Sequence, residues 1–278
     1  MHDLVCFAND IRCLYFIGGR IDRNLAGDEQ QVVGLYGLTI GPDGGRRVGG
    51  IDDLFFHGSN IGEVSLQTMK IVIITKTPPP VLFPAAAADC ITVPSLEELA
   101  AHQDADLFVD LDFEVSDARL TALDQLLPAP VIINAVIPTL AEIQRPFIRI
   151  NGWPGFLDRE LHELSASDAA AAQVIGKWYE KLGRSYRLAP DIPGMITARI
   201  LATIINEAWY TWEAGVSTKE EIDTAMKLGT NYPRGPFEWG QQVGLTRIVS
   251  LLDVLGKDNA RYMPANSLQR AVNELKCD

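Results

Sequence analysis

Met69-Lys70-Ile71-Val72-Ile73-Ile74-Thr75 is the stretch on which the fold turns. Its apolar run is continuous rather than alternating, the pattern of a strand covered on both faces, as in a parallel sheet. The same pattern recurs downstream in Asp106-Leu107-Phe108-Val109-Asp110, Pro130-Val131-Ile132-Ile133-Asn134 and Phe147-Ile148-Arg149-Ile150. Helical signals fall between these runs. Ser95 caps a short helix, residues 118–127 read as a second, and a short third lies around Ala141. Strands alternating with helices predict an α/β domain built on a parallel sheet.

Beyond residue 165 the sequence reads almost entirely as helix. Ser167-Asp168 caps a helix whose Ala171, Val174, Ile175, Trp178 and Leu182 recur at three-and-four spacing, and Gly183 ends it. Residues 185–188 are a short extended piece. A long apolar helix spans 195–214 and stops at Gly215. Ser217-Thr218-Lys219-Glu220 reads as a capping box for a helix that ends at Gly229. Pro233, Gly235 and Pro236 fix a rigid loop, and two further helices lie near 237–243 and 247–255. Upstream, residues 1–68 hold 12 of the 23 glycines and few periodic runs. They read as a small irregular β unit, as an extension without a stable fold of its own, or as sequence preceding a true start at Met69. The expected organisation is therefore a Gly-rich extension (1–68), a shortened sheet domain (69–164) and a helical domain (165–278).

Composition narrows the function. Of 278 residues, 47% are hydrophobic and 22% charged, ample apolar surface for a packed core. The net charge of −12 would repel a phosphate backbone, which argues against a nucleic-acid binder. Cys6, Cys13, Cys90 and Cys277 form no metal or disulfide spacing, so no metal site is expected and a reducing cytoplasm is. Arg199, Asn206 and Glu207 interrupt the most apolar stretch, which reads as a buried helix rather than a membrane span.

Three stretches of the helical part carry a family resemblance. The first is Asp191-Ile192-Pro193-Gly194-Met195-Ile196-Thr197-Ala198-Arg199. The second is Asn206-Glu207-Ala208 with Glu221-Ile222-Asp223-Thr224-Ala225-Met226-Lys227-Leu228-Gly229. The third is Asn231-Tyr232-Pro233-Arg234-Gly235-Pro236-Phe237-Glu238-Trp239-Gly240, with Arg261-Tyr262-Met263-Pro264 downstream. In order and spacing, over about a hundred residues, they resemble the C-terminal domain of the 3-hydroxyacyl-CoA dehydrogenases. Weaker similarity extends to Ala105-Asp106-Leu107-Phe108-Val109-Asp110, to Asn134-Ala135-Val136-Ile137 and to Ile150-Asn151-Gly152-Trp153-Pro154.

The resemblance implies a Rossmann-like domain followed by an all-α domain like that of 6-phosphogluconate dehydrogenase. It further implies NAD as cofactor, an acyl-CoA-type ligand, no nucleic-acid or membrane partner, and a homodimer formed through the helical domain. The family reaction oxidises 3-hydroxyacyl-CoA to 3-oxoacyl-CoA, with a His base held by a Glu and with Ser and Asn on the substrate oxygen. Here the His position falls on Asn151, the Ser position on Val136 or Ile137, and the Asn position on Ala198. An amide has no useful pKa near neutrality and cannot act as the base. Glu160, or Glu163 in an alternative register, takes the orienting carboxylate position. His162 is a rival base, which helical spacing would set on a different face from Glu160. Lys76, Asp110 and Glu114 are the cofactor-side candidates. Yet the turn after Ile74 reads Thr75-Lys76-Thr77-Pro78-Pro79-Pro80, with no glycine and three prolines that remove amide donors. The loop of Asn231, Pro233, Gly235, Pro236 and Phe237 is expected to shape the substrate pocket. These departures predict a catalytically impaired member of the family; the alternative is a non-catalytic dimeric scaffold or acyl-CoA-binding protein.

Overall fold

The computed structural model describes residues 68–276 other than 80, 85 and 86, together with four strands upstream. Those strands, β1 (Leu4–Cys6), β2 (Cys13–Tyr15), β3 (Gly37–Ile40) and β4 (Arg46–Gly49), pair in sequence order as an antiparallel sheet. They belong to a compact unit, Met1–Ser65, separate from the unit Leu66–Asp278.

The second unit opens on β5 (Met69–Ile74), where Ile71, Val72, Ile73 and Ile74 are all buried. That double burial is the reason for the unbroken apolar run. Six more strands follow: β6 (Ala88–Val93), β7 (Leu107–Asp110), β8 (Val131–Ile133), β9 (Ile148–Ile150), β10 (Leu161–Ala166) and β11 (Ser185–Leu188). Their order is β11-β10-β9-β8-β7-β5-β6. All neighbours are parallel except β9 and β10, which run antiparallel with Ile150 opposite Leu164. Helices α1 (Asp117–Asp124) and α2 (Leu140–Ile143) close one face, where Val72, Ile74, Phe108 and Ile133 pack with Leu123 and Leu140. Helix α3 (Ala169–Lys181) closes the other, where Ile71, Ile73, Val109 and Ile132 pack with Ile175 and Tyr179. This is a Rossmann-like layering with one departure. The connection from β5 to β6 holds no helix among its described residues.

The sequence pattern misplaced one boundary. Residues 161–166 form a strand rather than the helix assumed for Glu160 and His162, and β10 crosses the boundary expected at 164/165. Helix α3 and β11 then add to the sheet, so the passage to the helical region falls after Leu188. Strand β10 escaped notice because its Glu163 and Ser165 are buried polar residues, which break the apolar alternation a half-buried strand would show.

The helical region comprises α4 (Thr197–Glu213), α5 (Lys219–Thr230), α6 (Pro236–Val243), α7 (Leu245–Gly256) and α8 (Asn266–Glu274). Helix α4 is its axis. Ala198, Ala202, Ile205 and Trp209 lie along its buried stripe and pack against Phe237, Val243, Leu251, Leu252 and Leu268. Truncating Ile205 to Ala would cost about 2–5 kcal/mol, the usual range for a core aliphatic. Gly215 ends α4 with φ of +70°, a left-handed conformation in which a Cβ would be strained. Thr218 caps α5 in a reciprocal box with Glu221, one residue later than the sequence reading placed it. No described helix is long and apolar enough to cross a membrane.

Candidate functional site

Of the residues singled out by sequence, Val136, Asn151, Glu163 and Ala198 gather where β8, β9 and β10 meet the start of α4. Arg149, on β9, is fully buried and holds this junction together. Its Nε donates to the Ala135 carbonyl at 2.7 Å and its Nη2 to the Val136 carbonyl at 2.9 Å. Its Nη1 donates to Asp191 Oδ1 at 2.6 Å. The Asp191 carboxylate in turn accepts the amides of Leu140 and Ala141 at 2.9 and 3.0 Å. Burial pushes the Arg149 guanidinium below its ordinary pKa, and Asp191 acts against that shift. A buried cation keeps its charge only with such partners, so Asp191 and the carbonyls of Ala135, Val136 and Ile192 are obligatory.

Asn151, expected from the resemblance at the family His position, is buried. Its Nδ2 donates to Glu163 Oε2 at 3.2 Å, and its backbone amide donates to the Glu163 carbonyl at 3.0 Å. Glu163 Oε1 accepts the amides of Ile196 at 2.5 Å and Thr197 at 3.2 Å. A carboxylate on the exposed amides of a helix N-terminus is favourable on both hydrogen-bonding and dipole grounds. Glu163 thus anchors α4 and orients the Asn151 amide together. Ala198, fully buried and next along α4, brings no polar atom. Val136, also buried, offers only its carbonyl, to Gly194 N and Arg149. Asn134 donates from Nδ2 to the Leu111 carbonyl at 3.0 Å and accepts from Gly152 N at 3.1 Å. A Cβ on Gly152 would lie 2.5 Å from the Asn134 Cγ, so glycine is required there. The cluster keeps a buried carboxylate, occupied by the Asn151 side-chain amide and the amides of Ile196 and Thr197, and two side-chain amides, which are not bases near neutral pH.

Two expectations for this region are corrected. Glu160 is exposed, and Glu163 takes the orienting position instead, because alternation along β10 turns it inward toward Asn151. His162, the rival base, faces the opposite side of the sheet. Its ring touches the Tyr179 hydroxyl, the Leu157 carbonyl and Arg184 Nε at 3.1, 3.1 and 3.2 Å. Burial pushes its pKa down to about 4, and the nearby Arg184 cation adds to the shift. His162 is therefore a neutral core histidine, away from Asn151. His2 and His57 lie outside the described residues.

The cofactor-side candidates lie along the carboxyl ends of β5 and β7. Strand order reverses there, which is where a dinucleotide binds in such sheets. A pyrophosphate needs free amides from a glycine turn and a helix N-terminus behind it. Here Lys76 N donates to Asp112 Oδ2 at 2.7 Å, and Thr77 N donates to Thr75 Oγ1 at 3.2 Å. Thr75 Oγ1 lies 3.3 Å from Asp112 Oδ1. The turn's donors are spent within the chain, the Lys76 amide on the Asp112 carboxylate and the Thr77 amide on the Thr75 hydroxyl, and no described helix follows them. Asp110 does not face a ligand: it is fully buried and paired with Arg119 through both oxygens, at 2.6 and 2.5 Å. Burial raises its pKa while Arg119 opposes the rise. The side chains of Lys76 and Glu114 are exposed. These residues do not fit NAD.

Of the five expected pocket residues, Gly235, Pro236 and Phe237 are buried, whereas Asn231 and Pro233 are exposed. Asn231, at φ of +56°, ends α5. Asp223 accepts the amides of Phe237 and Glu238 at 2.8 and 3.1 Å, and so caps α6. A cleft of about 410 Å³ opens beside this turn, walled by Trp209, Lys219, Phe237, Gln241 and Leu245. Only Phe237 among the five lines it. Sequence reading missed Asp112, Arg149 and Asp223 as organising residues; the signal for each was a charged residue inside or beside an apolar run. Among the described residues no group of three or more His, Cys, Asp or Glu gathers as a metal site would require.

Comparison with known proteins bears on what this arrangement descends from. Residues 194–277 match the family described as 3-hydroxyacyl-CoA dehydrogenase, C-terminal domain. A 3-hydroxybutyryl-CoA dehydrogenase of Bradyrhizobium diazoefficiens is 30% identical over 227 residues, which cover 76% of this chain and 75% of that protein. A 3-hydroxyadipyl-CoA dehydrogenase of Escherichia coli is 33% identical over 172 residues, covering 61% of this chain but only 36% of the longer protein. Among solved structures, (S)-3-hydroxybutyryl-CoA dehydrogenase of Ralstonia eutropha superposes with a TM-score of 0.55 at 24% identity. That superposition covers 66% of this chain and 70% of the other, and it is a likeness of fold.

Proposed function

Since this chain belongs to the 3-hydroxyacyl-CoA dehydrogenase family, we propose that it binds an acyl-CoA thioester without carrying out the family's hydride transfer. One observation carries the reading: Asn151, which the family resemblance sets at the base position, donates its side-chain amide to Glu163. A base must accept a proton in the transition state, and an amide, whose nitrogen lone pair is delocalised into its carbonyl and whose NH₂ here donates to a carboxylate, has no basic site to receive it. Ala198 and Val136 supply no donor for a substrate oxygen. The spent amides beyond β5 argue in the same direction, since they leave a dinucleotide without its phosphate cradle.

The relatives' printed names support an acyl-CoA ligand, and the retained Asn231–Gly240 motif supports a kept helical region. The proposal includes a homodimer through that region. Ile200, Tyr210 and Trp212 are exposed apolar side chains on α4 and suit a covered face. It also includes a place in the reducing cytoplasm, in keeping with four scattered cysteines.

The test is NADH oxidation with acetoacetyl-CoA, run beside separate titrations of NADH and of acetoacetyl-CoA. The expected result is saturable binding of the thioester, no saturable binding of NADH, and no turnover above buffer. Steady turnover would refute the reading and turn attention to a base other than residue 151.

A further inference from the structure

A pair of arginines sits beside the Asn151 segment with no acid to answer it. Arg159 follows Asn151 in the loop after β9, and Arg234 lies in the turn before α6. The Arg159 guanidinium stands 5.4 Å from the Phe156 ring centroid and 5.6 Å from that of Trp239. The Arg234 guanidinium stands 5.6 Å from the same Trp239 ring. Phe156 and Trp239 stack at 5.9 Å with an interplanar angle of 28°, and both are nearly buried. Two cations of one sign therefore share one aromatic platform.

Neither arginine has a carboxylate within ion-pair distance among the described residues. Asp158 and Glu160 flank Arg159 in sequence but do not reach it. Glu238, the acid nearest Arg234 in the turn, is committed to Lys227 and to the amide of Gly235. Arg159 spends only its Nε, on the Gly155 carbonyl at 3.1 Å. In a chain with 36 acidic residues against 24 basic ones, two neighbouring arginines left without acids are not a matter of supply. A guanidinium stacked on an aromatic face is held by its plane, so its edge N–H groups are presented in fixed directions. That is the geometry that grips a carboxylate or phosphate.

We infer that Arg159 and Arg234, on the Phe156–Trp239 platform, form a binding site for an oxyanion carried by the thioester ligand. The inference rests on the acyl-CoA reading above. An oxyanion on such a ligand has two sources: a carboxylate at the far end of a dicarboxylic acyl chain, or the phosphates of the CoA carrier. Both demand the same chemistry from the protein.

Calorimetric titration of the full chain separates the possibilities. The probes are butyryl-CoA, adipyl-CoA and S-butyryl-pantetheine, applied to the wild type and to the Arg159→Gln/Arg234→Gln double variant. Both positions are exposed, and a thermal melt checks that the variant folds. A distal carboxylate as the target predicts adipyl-CoA binding at least about tenfold tighter than butyryl-CoA, with the double variant erasing the difference. Phosphate as the target predicts butyryl-CoA binding at least about tenfold tighter than S-butyryl-pantetheine, again erased in the variant. A folded variant that binds all three probes as the wild type does overturns the site and leaves the acyl-CoA reading standing. A wild type that binds none of the three overturns both.

Discussion

Replacing Glu163 by Ala tests whether this carboxylate holds the helical region to the sheet. In the structure it accepts Asn151 Nδ2 at 3.2 Å, Ile196 N at 2.5 Å and Thr197 N at 3.2 Å. Its residue is 9% exposed, so solvent cannot replace those bonds freely. Losing a carboxylate from a helix N-terminus costs about 1–2 kcal/mol. Leaving the buried Asn151 amide without an acceptor adds about 1 kcal/mol or more. The sum, near ~3 kcal/mol, corresponds to a fall in Tm of about 6–12 °C for a unit of this size. Glu163→Gln keeps a carbonyl for the two amides of α4 but sets an NH₂ against Asn151, so its loss is near ~1 kcal/mol. Thermal unfolding followed by circular dichroism and by calorimetry reads both variants. A Glu163→Ala protein melting within about 2 °C of the wild type, or a Gln variant as unstable as the Ala one, would refute the capping argument.

Two further predictions concern other parts of the chain. His162 is neutral and buried, with a folded pKa of about 4 against an ordinary 6.5. The unfolded chain takes up its proton first, so stability is constant above pH ~6.5 and falls toward pH ~4 by up to about 3 kcal/mol. Urea midpoints of the wild type and His162→Gln, compared at pH 7 and pH 4.5, should show the wild type losing more on acidification; equal losses contradict the shift. Gly235→Ala places a Cβ 2.2 Å from the Asp223 Cγ and displaces the cap of α6. A loss of about 2 kcal/mol or more is expected in denaturant unfolding, and an unchanged midpoint would show that the turn gives way at no cost.

Several elements were legible because their physics is local. The Ile71–Ile74 run announced a doubly covered strand, the Ser217–Glu220 pattern announced α5 one residue early, and the apolar run along 195–214 announced α4. Strand β10 was not legible, because its buried residues include a serine and a glutamate, and the glutamate's partners Asn151, Ile196 and Thr197 are far away in sequence. With β10 unread, Glu163 was only an alternative to Glu160, and His162 was set on a helix face instead of the far side of a sheet.

The sequence by itself determined the α/β-then-helical order, an amide rather than an imidazole at position 151 and the lack of a glycine turn after β5, because residue identity and short-range periodicity suffice for these. Only the tertiary structure decided which carboxylate stands beside Asn151, that Asp112 takes the Lys76 amide beyond β5, and that Arg159 and Arg234 share one tryptophan. The first two join groups 12 and 36 residues apart along the chain, and the third brings Arg159 to a tryptophan 80 residues away. Such pairings are set by how sheet and helices pack, and no local rule of the sequence encodes them.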